Sequence, residues 1–181
     1  MQRILETDRL TLRPFELGDA SLVQKLAGDR EVAQTTLSIP HPYPDGAAEA
    51  WIAAGWERAS TGHGFPYAIV IRDEGVLIGC ISLNVTPSHI RGELAYWLGT
   101  SYWGKGYATE AAAMIVNFGF DDLELNRIWA AAMSKNPASS RVMQKIGMKP
   151  EGEFRQHILK WGEFEDLVYY GMTKGDRRRT L

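Results

Sequence analysis

The strongest candidate for chemistry in this chain is a glycine-rich turn, Trp103-Gly104-Lys105-Gly106-Tyr107-Ala108. It lies between a predicted strand over residues 93–98 and an apolar helical pattern that begins near Gly106. Glycines at such a junction leave backbone N–H groups exposed, and the N-terminal end of a helix carries partial positive charge. The turn is therefore suited to bind an anion such as a phosphate group, although a lone pair of glycines can also serve only to reverse the chain.

Two nucleotide-binding motifs partly match the same turn. Gly99, Gly104 and Lys105 have the spacing of a Walker loop. However, Gly106 stands where that loop needs Ser or Thr to reach magnesium. The dinucleotide fingerprint fails at Thr109, which replaces its third small residue. Hydrolysis of ATP or GTP is therefore not expected, and magnesium-dependent binding of either nucleotide would distinguish this alternative.

The elements that must position the turn follow a mixed order of strands and helices. Alternating or β-branched runs predict strands at residues 9–13, 67–71, 76–83, 93–98, 126–133, 148–155 and 166–172. Helical spacing predicts helices at residues 19–28, from 45 to the glycines at 62–64, from 106 onward, and from Ser139 or Ser140 to Gly147. The loop at residues 72–75 has hairpin length, so the strands that flank it should pair antiparallel. This order indicates a mixed α/β fold.

Length and composition indicate one domain over residues 1–181, with 45% hydrophobic residues and no repeat or linker that divides it. A formal net charge of -2 gives no overall attraction to DNA or to acidic membranes, and no apolar run reaches the roughly 20 residues of a membrane helix. The first ten residues do not resemble a secretory signal, so a cytoplasmic location is expected. The single cysteine, Cys80, is expected to be buried, and the basic run at residues 177–179 is interpreted as a solvated tail.

The glycine turn resembles the acyl-CoA loop of the GNAT acyltransferase superfamily, whose pattern is Arg or Gln, two residues, Gly, one residue, then Gly or Ala. Gly106 and Ala108 occupy the last two fixed positions, and Trp103 replaces the basic or amide residue. Tryptophan at this place, within the segments 96–99 and 102–111, is similar to the branch that contains ribosomal-protein N-terminal acetyltransferases. The resemblance extends from residues 9–14 through 136–139 and 146–148 to Gly162 and Asp166.

That resemblance implies a strongly twisted mixed β-sheet flanked by helices, in which two central parallel strands splay into a V-shaped gap. Acetyl-CoA would enter the gap, with its pyrophosphate on the amides of the turn and its pantetheine arm against unpaired strand backbone. The implied cofactor-binding residues are Tyr96, Trp97, Leu98, Trp103, Gly104, Lys105, Gly106, Tyr107, Ala108, Thr109, Asn136 and Ser139.

Acetyl transfer requires a neutral amine beside the thioester carbonyl and a proton source for the departing thiolate. The family often places a basic carboxylate on the strand before the turn, which implies Glu93 as the general base. An ordinary surface carboxylate is the equal alternative for Glu93, and His89 is a weaker candidate base. Ser139 matches a serine proposed as the acid in the N-terminal acetyltransferase branch, and Asn136 resembles an asparagine that contacts CoA. Residue type alone favours a different role for the Ser139 hydroxyl, as the cap of the following helix.

The implied function is acetyl-CoA-dependent N-acetylation of a primary amine, without a metal, and the favoured acceptor is the α-amine of a protein N-terminus. Two alternatives stay open: a small-molecule amine such as a polyamine, aminoglycoside or metabolite, and a noncatalytic acyl-CoA-binding sensor. A polycationic acceptor would predict an acidic pocket. The family contains monomers and homodimers, and neither DNA nor a membrane is expected as a partner.

Overall fold

An eight-stranded mixed sheet with helices on both faces is the framework of the computed structural model, which describes residues 2–177. The strands are β1 (Leu5–Glu6), β2 (Leu10–Arg13), β3 (Gly64–Ile71), β4 (Val76–Thr86), β5 (Arg91–Leu98), β6 (Arg127–Met133), β7 (Lys149–Lys160) and β8 (Glu163–Thr173). The helices are α1 (Ala20–Ala27), α2 (Arg30–Gln34), α3 (Ala47–Ser60), α4 (Tyr107–Asp121), α5 (Pro137–Lys145) and α6 (Lys174–Arg177). The order across the sheet is β1-β2-β3-β4-β5-β6-β8-β7, and among these strands only the neighbours β5 and β6 run parallel.

The predicted hairpin and the predicted long helix are both confirmed. β3 and β4 pair antiparallel from Gly64↔Asn84 to Ile71↔Val76, and Gly75 adopts the positive φ of 67° that its turn requires. Helix α3 buries Ala48, Ile52 and Gly55 on one face. A Cβ at Gly55 would lie 2.9 Å from Pro66 Cγ, so the missing side chain lets the helix approach the sheet closely.

Two apolar cores, one on each face, fix the positions of the helices. On the first face α4 and α5 pack with residues such as Leu94, Tyr96 and Ile115. On the second face α1 and α3 cover a smaller core that includes Ala68 and Cys80. Cys80 is buried as predicted, and burial raises the pKa of its thiol.

The structure corrects the sequence prediction near both ends of the chain. β1 and α2 were not predicted, because elements of two and five residues contain too few apolar positions to show a period. β7 extends to Lys160 and β8 begins at Glu163, so the connection between them is the two-residue turn of Trp161 and Gly162, both at positive φ. The last strand residues before the turn were missed because β7 is exposed along almost its whole length. The interpretation of residues 177–179 as a solvated tail is wrong for Arg177, which ends α6 and donates to Asp121 Oδ2 at 2.7 Å. Residues 178 and 179 lie outside the described residues.

No helix within residues 2–177 combines the length and the apolar character needed to cross a membrane.

Candidate active site

The centre of the sheet contains a gap between β5 and β6. These strands pair at Arg91↔Arg127, Gly92↔Ile128 and Glu93↔Trp129 and then separate. On its other side β5 stays paired with β4 as far as Leu98, and β6 stays paired with β8 as far as Met133. The facing edges beyond Glu93 and Trp129 are therefore open, which confirms the predicted V-shaped splay between parallel strands.

The alternation of backbone hydrogen bonds between β4 and β5 shows which backbone groups of β5 face the gap. The Gly99 N–H donates to Ile78 O at 2.9 Å, so residue 99 and, by alternation, Trp97 point their backbone groups toward β4. Tyr96 and Leu98 point theirs into the gap. The Trp103 indole N–H already donates to Leu98 O at 2.8 Å. The Tyr96 backbone and the Leu98 N–H are therefore the groups that remain to bind an extended ligand.

The glycine turn adopts a conformation that its residue types require. Gly104 and Gly106 have φ values of 73° and 84°, and Gly106 is the N-cap of the 15-residue helix α4. A Cβ at Gly104 would meet no atom within 4 Å, so the space over the turn is open. Exposed amides, an open surface and a helix N-terminus together fit the pyrophosphate of a coenzyme A molecule.

An ion-pair clamp that was not predicted from the sequence holds this turn against the first strands. Arg9 donates to Lys105 O at 3.0 Å and to Glu110 Oε2 at 2.7 Å, and its guanidinium lies 4.7 Å from the centre of the Tyr107 ring. Thr7 Oγ1 also donates to Glu110 at 2.6 Å. Because Lys105 O is directed into this contact, the carbonyl is removed from the anion side of the turn.

Glu93 lies at the apex of the gap, where β5 and β6 are last paired. Its neighbour across the ladder to β4 is Asn84. Burial raises the pKa of the Glu93 carboxyl above its ordinary value. A glutamate with a raised pKa is better matched to accepting a proton near neutral pH. The weaker candidate, His89, is exposed on the loop before β5.

Ser139 is not the cap of α5, so that prediction is wrong. Asn136 is the N-cap, and its Oδ1 accepts from the Ser139 N–H at 3.2 Å. The Ser139 hydroxyl instead lies 2.7 Å from the Tyr96 hydroxyl across the gap. Burial raises the pKa of Tyr96 to about 12, so this phenol stays protonated near neutral pH. The sequence favours Ser because it is a good cap residue, but Asn three positions earlier is equally good and is followed by Pro137 at the first helical position.

One cavity of about 780 Å³ joins these features. It runs from the glycine turn through the gap and past Glu93 to the face covered by α1 and α3, where Trp51 and the loop at residues 35–40 line it. Of the residues predicted to bind cofactor, all line this cavity except Lys105. The Lys105 ammonium lies 5.7 Å from the centre of the Tyr102 ring.

The tip of the β7–β8 hairpin fixes the far wall of the cavity. Lys160 is buried and donates from Nζ to Ile39 O at 3.0 Å, and the Trp161 ring lies 5.7 Å from the ring of His41. These contacts tie the hairpin to the loop that lines the cavity. They join residues more than 100 positions apart, which no local pattern in the sequence indicates.

Among residues 2–177, no group of three or more His, Cys, Asp or Glu side chains is arranged to bind a metal ion. A reaction without a metal stays a prediction.

The chain belongs to the GNAT acetyltransferase family, because the family model described as "Acetyltransferase (GNAT) domain" matches residues 9–149. It is similar to the uncharacterized N-acetyltransferase YnaD of Bacillus subtilis, at 34% identity over 93% of this chain and 95% of that protein. YdaF of the same organism, whose name proposes a ribosomal N-acetyltransferase, is 29% identical over 92% of each chain. The crystal structure of a GNAT-family acetyltransferase from Bacillus anthracis superimposes with a TM-score of 0.85 at 26% identity, covering 96% of this chain and 99% of the other. Family membership makes the protein an N-acetyltransferase.

Proposed function

We propose that this enzyme transfers the acetyl group of acetyl-CoA to the α-amine of a protein N-terminus. The observation that carries the proposal is the single cavity that connects the glycine turn, the gap between β5 and β6, and Glu93. The lining residues of this cavity come from both faces of the sheet, so in this proposal the cofactor binds from one face and the acceptor from the other. Their reacting groups can then meet at the apex of the gap.

Acetyl-CoA supplies an activated thioester, and the residues of the chain supply position and proton transfer. The amides of Gly104, Gly106 and Ala108 hold the pyrophosphate, and the backbone of Tyr96 orients the pantetheine arm. Glu93 accepts a proton from the acceptor ammonium or amine, directly or through water. The amine nitrogen forms a bond to the acetyl carbon as the carbon–sulfur bond breaks. Ser139, hydrogen-bonded to Tyr96, provides a proton to the departing thiolate and regains one from solvent, and Glu93 releases its proton to solvent before the next turnover.

A polypeptide acceptor is supported by a partly exposed aromatic cluster beside Glu93. Trp129, the partner of Glu93 on β6, stacks on Tyr169 with ring centres 5.5 Å apart, and Phe154 packs edge-on against Tyr169 at 4.8 Å. Phe154 is 49% exposed. Exposed aromatic side chains next to a reactive cavity can hold the residues that follow an N-terminal amine. The name of the relative YdaF points to the same class of acceptor.

The charge of the cavity argues against a polyamine or aminoglycoside. Glu93 is the one carboxylate that lines the cavity within residues 2–177, whereas Arg58, Arg141 and Lys145 contribute positive charge. A polycation would require several carboxylates in the binding site. No observation favours a noncatalytic sensor, because a carboxylate with a raised pKa lies at the apex where a base is needed.

The proposal is tested by incubating the protein with acetyl-CoA and peptides that have free or blocked α-amines, followed by mass spectrometry. We expect a 42 Da addition (about the mass of one acetyl group replacing a proton) only at free α-amines, and not at internal lysines. Glu93→Gln should lose most of this activity, whereas Glu74→Gln, in the exposed β3–β4 turn, should retain it. Acetylation of polyamines but not of peptides would overturn the acceptor assignment.

A further inference from the structure

The positive charges that line the cavity are divided between its two ends. Arg141 and Lys145 belong to α5, which packs on the same face of the sheet as α4 and the glycine turn. They therefore lie at the cofactor end. Arg58 belongs to α3, which covers the opposite face. Among the described residues that line the cavity, Arg58 is the one cationic side chain at the acceptor end.

The position of Arg58 is defined by two glycines. Its Cβ and Cδ lie 3.5 Å from the point that a Cβ at Gly64 would occupy, and its Nη2 lies 3.8 Å from the equivalent point at Gly55. The stem therefore passes over the start of β3, and the guanidinium turns back along α3. The same guanidinium acts on Cys80, where its charge opposes the effect of burial on the thiol pKa. Arg58 is thus held over the second face of the sheet, at the cavity wall.

No group of the described chain neutralises this arginine. Its guanidinium takes part in none of the ion pairs or side-chain hydrogen bonds formed within residues 2–177. Glu93 does not serve as its counter-ion, because none of the ion pairs within residues 2–177 joins these two side chains. Arg58 is also partly buried. A partly buried, unpaired charge is unfavourable, and a bound carboxylate would satisfy its planar set of N–H donors.

Neutral polar groups lie between Arg58 and the base. Asn84 Oδ1 is 3.4 Å from the same virtual Cβ of Gly64 that the Arg58 stem approaches, and Asn84 is the ladder neighbour of Glu93. Ser82, two residues before Asn84 on the same face of β4, also lines the cavity. The acceptor end therefore has a basic carboxylate, two neutral hydrogen-bonding side chains and an unpaired guanidinium in succession.

We propose that the acceptor carries a carboxylate, which Arg58 binds while the amine lies at Glu93. This inference rests on the proposed function and names the substrate class of the same site. The carboxylate can come from an acidic side chain near a peptide N-terminus or from the α-carboxylate of a free amino acid. Arg58 is a specificity-determining residue in this scheme, and it does not contact the atoms that react.

The test compares acetyl transfer to peptides that are identical except for Asp, Ala or Lys in the first three positions, together with free amino acids. The parent enzyme should have the highest kcat/KM for a carboxylate-bearing acceptor, by about 10- to 100-fold over the neutral one, as expected for a charged hydrogen-bonded pair. A preference for acidic peptides identifies a side-chain carboxylate, and a preference for free amino acids identifies the α-carboxylate. Arg58→Gln should remove the preference, mainly through KM, and Arg58→Glu should shift it toward the Lys peptide.

Three controls separate specificity from folding. Arg58→Met keeps the apolar stem beside Gly64 and should behave like Arg58→Gln, whereas Arg58→Lys should retain part of the preference. Lys25→Gln removes one charge from the exposed surface of α1 and should change nothing. Each variant should bind acetyl-CoA as the parent does, because the cofactor end is on the other face.

The outcomes distinguish the two proposals. Acetylation of α-amines with no preference among the Asp, Ala and Lys peptides would overturn the carboxylate inference and leave the proposed function in place. If no amine is acetylated, calorimetry with the acetylated Asp peptide still tests Arg58 directly. Equal affinity of the parent and Arg58→Gln for that peptide would refute the inference, and affinity lost only in the variant would support it.

Discussion

Replacing Gly104 with alanine should weaken acetyl-CoA binding far more than the same change at Gly62. The two glycines form a matched pair, with φ values of 73° and 74° and no atom within 4 Å of an added Cβ. Each substitution places an L-residue in the left-handed region and should cost about 1–2 kcal/mol of unfolding free energy. Gly104 lines the cavity and Gly62 does not. A methyl group on the turn should displace the pyrophosphate from at least one amide, which costs about 1.5–3 kcal/mol, or about 10- to 100-fold in Kd.

Isothermal titration of acetyl-CoA into the parent and both variants measures the affinity, and urea unfolding measures the stability. We expect similar losses of stability in the two variants and a loss of affinity only in Gly104→Ala. The same acetyl-CoA affinity in all three proteins would refute the assignment of the pyrophosphate to this turn. An equal loss of affinity in both variants would show that the effect comes from reduced stability.

Three further predictions concern the proton-transfer groups and the clamp. Burial raises the pKa of Glu93, and the deprotonated carboxylate is the active form, so kcat/KM should fall as the pH decreases, with a midpoint above the usual pKa of glutamate. Glu93→Gln should remove this pH dependence and lower kcat/KM about 100-fold. An unchanged pH profile would exclude Glu93 as the base. Ser139→Ala should lower kcat at least tenfold (roughly the effect of one general acid) with unchanged acetyl-CoA affinity, as measured by kinetics and calorimetry. Asn136→Ala should instead lower the free energy of unfolding in urea by about 1 kcal/mol through loss of the helix cap. A loss of stability in Ser139→Ala and a loss of kcat in Asn136→Ala would contradict these roles. Burial raises the pKa of Glu110, but hydrogen bonds from Thr7 and Arg9 outweigh it and lower the pKa overall. The contribution of Glu110 to the free energy of unfolding is therefore present above the pKa of the unfolded state and is lost as the pH falls through the pKa of the folded state. Glu110→Gln should lower the free energy of unfolding by about 1–2 kcal/mol near neutral pH and by less in acid. A pH-independent difference in urea unfolding would contradict this account.

Elements with a long apolar period were predictable, and short or exposed elements were not. Helix α3 has buried residues at helical spacing over 14 positions, and the β3–β4 hairpin has β-branched runs around Gly75. Strand β7 has no such signal, because almost all of its side chains face solvent and the pairing with β8 determines its conformation. Local propensity therefore accounts for the centre of the sheet better than for its edge.

The candidate site shows the same division between local and long-range information. Glycines at positive φ and the strand–helix junction could be located from residue types at Gly104 and Gly106. The clamp between Arg9 and Glu110 could not, because the two residues are 101 positions apart and each is an ordinary surface charge in its own segment. The proposed role of Arg58 in binding a carboxylate could not be predicted from the sequence either, because only the folded structure shows that its charge has no partner among the described residues.

The gap between β5 and β6 leaves few backbone hydrogen bonds between the two halves of the sheet. Three residue pairs join β5 to β6, and beyond Glu93 and Trp129 the part of the chain that the structure describes has no further backbone pairing between these strands. A pantetheine arm bound to the Tyr96 backbone would form hydrogen bonds along the open edge of β5, so the cofactor would complete the sheet as well as supply the acetyl group. Saturating acetyl-CoA should therefore slow amide hydrogen exchange on both sides of the gap and raise the thermal unfolding temperature, as expected for a ligand that binds only the folded chain.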